Sequence, residues 1–93
     1  MGAPMNGRDL IAFNVRRIRV EQNVSQERLA FDAGVDRSYL GGLERGEANP
    51  TVDLLERIAE TLCVPLIELF AAIEEGAERS DGLPKGRKPN KSN

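Results

Sequence analysis

The chain has 93 residues, enough for one small domain and too few for two, and it is 40% hydrophobic but only 4% aromatic, with a net charge of −2. One Cys excludes an intramolecular disulfide, and the absence of His removes Cys/His metal sites and all His-based nucleophile or general-base chemistry. No apolar run approaches the roughly 18 residues that span a bilayer, and the N-terminus lacks a basic-then-apolar secretion signal, so the expectation is a cytoplasmic, non-enzymatic protein without metal or cofactor.

Residues 1–7 read as a short flexible arm, with Asn6 as N-cap for the first helix. From Arg8 to Gln22, Ile11, Val15 and Ile18 recur at i, i+4, i+7, one face of a helix that Asn23 can close in a left-handed conformation. Ser25 caps a short helix through Ala33, with Leu29, Ala30 and Ala33 inward, and Gly34 ends it. Asp36 caps a third helix running to Arg45, with Leu40 and Leu43 inward and Gly46 beyond its end.

Glu47-Ala48-Asn49-Pro50 is a turn, and Thr51 caps a fourth helix with Val52, Leu55, Ile58, Ala59 and Leu62 at helical spacing. Val64-Pro65 breaks it, and Pro65 can occupy the first turn of a fifth helix reaching about Glu75. After Leu83 no large apolar residue remains, and residues 77–93 are expected as a disordered basic tail behind a domain spanning 8–76. No segment alternates as a strand would. The fold class is all-α, with five short helices.

Charge is distributed unevenly. Residues 8–74 carry eight Arg, no Lys and twelve acids, a net of −4, whereas residues 82–93 carry four cations and no acid. A folded part that uses only Arg favours the planar, forked cation that suits carboxylates and phosphates.

Two short helices joined by Gly34-Val35-Asp36 must cross steeply. Ala30 and Ala33 keep side chains small where the backbones approach, Gly34 supplies a positive φ, and Val35, Leu40 and Leu43 fill the angle. This is the physical logic of a helix-turn-helix, whose second helix enters the major groove.

The segment Ser25-Gln26-Glu27-Arg28-Leu29-Ala30, Ala33-Gly34-Val35-Asp36-Arg37-Ser38-Tyr39-Leu40, Leu43-Glu44-Arg45-Gly46 and Asn49-Pro50-Thr51 resembles the Cro/cI-type (XRE, lambda-repressor-like) helix-turn-helix family. The similarity extends through Leu55, Ile58-Ala59, Leu62 and Leu69-Phe70, covering about residues 8–72, and Asp36–Tyr39 also resembles restriction–modification controller proteins. The resemblance implies a compact five-helix, lambda-repressor-like domain of bacterial or phage type that binds double-stranded operator DNA as a homodimer.

It also implies roles for particular residues. Arg37, Ser38, Tyr39 and Gly42 lie where the third helix meets base edges; a guanidinium can bind G O6 and N7 together, and the alternative is that Arg37 pairs with Asp36 or touches only phosphate. Gln26, Arg45 and Asn49 stand at phosphate-contacting positions, with a solvated surface as the alternative. Arg19 and Glu44 match a partly buried salt bridge that orients the recognition helix. Gly41-Gly42 departs from most of the family: either the helix approaches DNA closely there or the pair is drift.

On the fifth helix, Leu66, Phe70 and Ile73 form an i, i+4, i+7 stripe expected at a dimer interface, with Leu69 facing the core; the alternative is that all four complete the monomer core. Cys63, where the family often has Gly, is read as a small filler. The expected function is a dimeric, sequence-specific transcriptional regulator on a palindromic operator, repressing by occluding RNA polymerase or activating by contacting it. An antitoxin-like protein-interaction module with secondary DNA binding is the alternative, supported by the acidic folded part.

Overall fold

Four helix starts are built the same way, from a short polar side chain that accepts the backbone N–H three residues on. The computed structural model describes residues 6–73. Asn6 caps α1 (Gly7–Glu21) through the Asp9 N–H, and Ser25 caps α2 (Gln26–Ala33) through the Arg28 N–H. Asp36 caps α3 (Arg37–Glu44) through the Tyr39 N–H, and Thr51 caps α4 (Val52–Thr61) through the Leu54 N–H.

The ends are equally uniform. Asn23, Gly34, Gly46 and Cys63 all take positive φ, between 61° and 78°, and the residue after each donates its N–H back across the last turn. These are Schellman closures, in which a left-handed residue lets two otherwise orphaned carbonyls find donors. Cys63 is exposed and serves as this left-handed residue, so it fills no space in the core.

α1 packs against α3, α2 against both α3 and α4, and a 3₁₀ turn over Leu66–Phe70 closes the far side against α1 and α4. Val15, Leu29, Leu40, Ile58 and Leu69 are completely buried at the centre, one from each element. Burying each such side chain contributes about 1.5–3 kcal/mol, the main stabilisation available to a domain this small. Val52, expected on the inner face of α4, is 60% exposed, because as the first residue of its helix it precedes the point where the helix meets the core.

The described residues contain four α-helices and the 3₁₀ turn, and no strand. The expected fifth helix reaching Glu75 is therefore corrected over its described part. Pro65 provides no side-chain cap, the backbone of Ala71 is extended, and the buried Asn14 amide donates to the carbonyls of Leu69 at 3.1 Å and Ala71 at 3.0 Å. An α-helix would need the Leu69 carbonyl for its own ladder. The expected arm over residues 1–7 lies outside the described residues except for Asn6 and Gly7, which already start α1; the expected tail over 77–93 lies wholly outside them.

Candidate nucleic-acid interface

α3 has one face in the core and one in solvent. Leu40 and Leu43 are buried, while Arg37, Ser38 and Tyr39 are exposed along its first turn. The Asp36 carboxylate is engaged as the N-cap, and Arg37 forms no ion pair among the described residues. Three side chains capable of hydrogen bonding thus stand together on the outer surface of a helix eight residues long.

The orientation of that helix is held by a buried polar network. Arg19 on α1 forms a two-pronged ion pair with Glu44 at the end of α3, with Nε–Oε2 2.7 Å and Nη2–Oε1 2.9 Å. The Glu44 side chain is only 2% exposed, and Arg19 also donates to the Val24 carbonyl at 2.8 Å. Such a planar fork fixes angle as well as distance, so α1 and α3 cannot slide past each other without breaking both bonds.

Gln26 joins this network. Its Nε2 donates to Glu44 Oε1 at 2.9 Å, and its Oε1 accepts from Arg37 Nη1 at 3.5 Å. The side-chain amide expected to meet phosphate is therefore occupied on both sides, which links the buried ion pair to the exposed Arg37. The helix N-terminus above it remains an electropositive end of α2.

Beyond α3 the chain reverses at Gly46. Asn49 is exposed in the turn before α4 and lines a shallow cleft with Arg8, the first turn of α1 and Pro50. Arg45 pairs with Glu47, Nε–Oε2 3.1 Å, and its guanidinium lies over Gly41 and Gly42. Glu47 and Arg8 were not singled out from the sequence. The signal for Glu47 was the left-handed Gly46, which brings residues two apart onto one side.

The apolar patch on the 3₁₀ turn differs from the expected stripe. Ile67 is 71% exposed and Phe70 is exposed beside it, whereas Leu66 is half-buried against the core and Ile73 is half-buried past the turn. The expected i, i+4, i+7 spacing presupposed 3.6 residues per turn. At three residues per turn, Ile67 and Phe70 share the outer face and Leu66 and Leu69 the inner one.

Among the described residues no group of three His, Cys, Asp or Glu side chains could hold a metal ion, and no helix is long and apolar enough to cross a membrane.

Comparison with known proteins adds to this geometry. The chain is 38% identical to an uncharacterized HTH-type transcriptional regulator, y4dJ of Sinorhizobium fredii, over 76% of this chain and 92% of that protein. It is 41% identical to the control protein C.SmaI of Serratia marcescens, over 84% of this chain and 90% of that one. Its fold matches the restriction–modification controller protein C.Esp1396I, crystallised as a tetramer with its natural 35 base-pair operator, at a TM-score of 0.64 and 34% identity, covering 69% of this chain and 84% of the other. The Helix-turn-helix family model HTH_3 matches residues 15–69, from the middle of α1 through the buried Leu69. With that match spanning more than half its length, the chain belongs to the helix-turn-helix family HTH_3.

Proposed function

We propose that this protein is a sequence-specific DNA-binding transcriptional regulator that acts as a homodimer on a palindromic operator. The observation that carries the reading is α3: a short, capped helix whose outer face bears Arg37, Ser38 and Tyr39 and whose inner end is locked by Arg19 and Glu44. The controller protein of similar fold, bound to its operator as a tetramer, supports the same use of this fold here. In the five-helix, lambda-repressor-like plan, the turn at Leu66–Phe70 stands where the fifth helix would be. The domain is a binding unit and not an enzyme, and its site of action is the cytoplasm, where operator DNA is found.

In this reading Arg37 reads a guanine edge, Ser38 and Tyr39 bond or pack against neighbouring bases, and Gly42 lets the helix approach the groove. Arg45, Asn49 and the α2 N-terminus at Gln26 contact phosphates and set the register. Two subunits related by a two-fold axis would insert their α3 helices into successive major grooves about 34–36 Å apart. Ile67 and Phe70 supply apolar surface for that dimer. Whether the bound dimer occludes RNA polymerase or touches it is decided by where the operator lies.

Binding-site selection from a random duplex library tests this, comparing wild type with Arg37→Ala. A palindromic consensus that loses a base preference in the variant supports the reading; no enrichment by folded, dimeric protein overturns it. The net charge of −4 over residues 8–74 favours a second reading, an antitoxin-like protein-interaction module with secondary DNA binding. A steep fall of duplex affinity with salt argues against that alternative, since phosphate neutralisation releases counterions.

A further inference from the structure

The ion pair between Arg45 and Glu47 is exposed and joins residues two apart, the kind of pair that contributes little to stability. Gly46, at φ 78°, turns the chain back so that the Gly46 N–H meets the Leu43 carbonyl at 3.0 Å and the Glu47 N–H meets the Gly42 carbonyl at 2.9 Å. This closure sets side chains 45 and 47 next to each other, with Nε–Oε2 3.1 Å and Nη2–Oε1 3.3 Å. Both ends of the pair are exposed, at 63% and 62%.

The pair lies against α3 at its two glycines. A methyl group at Gly41 would sit 3.3 Å from Arg45 Nη1, and one at Gly42 would sit 3.8 Å from Arg45 Nη2 and 3.9 Å from Glu47 Oε1. The guanidinium therefore rests on bare helix backbone, close to Gln26 and on the face that carries the proposed DNA contacts. Its two forward N–H groups point at a carboxylate, whose pair of oxygens presents the same fork that a phosphate presents.

We propose that Glu47 is an intramolecular competitor for the DNA backbone: it occupies the Arg45 guanidinium in the free protein and must be displaced before Arg45 reaches a phosphate. The proposal rests on the reading of α3 as a DNA interface. Arg37 has no carboxylate partner among the described residues and meets only the neutral Gln26 amide oxygen at 3.5 Å, so the base-reading cation is held far less firmly than the phosphate-binding one. An exposed pair is screened and exchanges readily, so the restraint lowers affinity for any duplex without blocking binding.

The test measures anisotropy of a labelled random-sequence duplex across a salt series, with wild type, Glu47→Gln, Arg45→Ala and the double variant. Circular dichroism melts confirm that each is folded. Glu47→Gln is expected to bind about 2- to 5-fold tighter, the range an exposed ion pair supports. The tightening should disappear in the Arg45→Ala background, where there is no guanidinium for Glu47 to occupy. Equal tightening in that background reports a general loss of negative charge and overturns the proposal. Wild-type binding that Glu47→Gln leaves unchanged overturns it as well, while leaving the DNA-binding reading intact. If neither protein binds any duplex, the functional reading itself falls and takes the proposal with it.

Discussion

The buried side-chain amide of Asn14 donates to the backbone carbonyl of Leu69 at 3.1 Å, joining two residues 55 positions apart in the chain. A second N–H of the same amide reaches the Ala71 carbonyl at 3.0 Å, and Asn14 Oδ1 accepts from Arg17 Nη2 at 3.1 Å. One side chain on α1 thereby fixes the 3₁₀ turn that displays Ile67 and Phe70.

Replacing Asn14 with Leu should cost about 1–3 kcal/mol, because carbonyls that remain near the core lose their donor. Urea unfolding of the variant measures this. Faster amide exchange confined to residues around the 3₁₀ turn would locate the loss there and not in α3.

Arg19→Ala should be more damaging. It strands Glu44 as an unpaired carboxylate with 2% of its side chain exposed, at a cost of about 3–5 kcal/mol. In a domain of this size that is a large share of total stability, and thermal melts should show a mostly unfolded protein. Replacing both partners with apolar residues should recover part of the loss, since no buried charge is then left uncompensated.

Gly42→Ala should raise stability while lowering DNA affinity. A methyl there meets nothing closer than 3.8 Å, and Ala is favoured over Gly in a helix interior by about 0.8–1 kcal/mol. The free protein gains nothing from Gly42, so a higher melting temperature with weaker operator binding would assign the glycine to the groove contact. Unchanged binding would assign it to drift.

Cys63→Gly should stabilise the protein by about 0.5–1 kcal/mol. An L-residue pays about 1–2 kcal/mol in the left-handed region, and the added freedom of Gly in the unfolded chain offsets part of the gain. The thiol is exposed and packs no core, so little is lost with it. Guanidinium unfolding at fixed m-value reads the difference directly.

If the proposed homodimer uses the outer face of the 3₁₀ turn, Phe70→Glu should raise its dissociation constant at least about tenfold while leaving the fold intact. Sedimentation velocity over a concentration series checks this. Leu66→Ala should act differently, through stability, because that side chain leans on the monomer core.

Local chemistry was enough to place four helices. Asn6, Ser25, Asp36 and Thr51 cap through atoms three residues away, and Asn23, Gly34 and Gly46 close helices through their own backbone freedom, so neighbouring residues carry the whole signal. The pairing of Arg19 with Glu44 was legible only through the family resemblance, since 25 residues separate them. The 3₁₀ turn was out of reach for periodicity: its apolar residues fit a helix, and a donor from Asn14, on another element, captures the carbonyls that a helix would use. The occupation of Gln26 by Glu44 and Arg37, and of Arg45 by Glu47, likewise depends on how side chains meet once the helices are packed. Caps and turns are short-range and add along the chain, whereas the partner of a polar side chain is settled by geometry that exists only when distant segments meet.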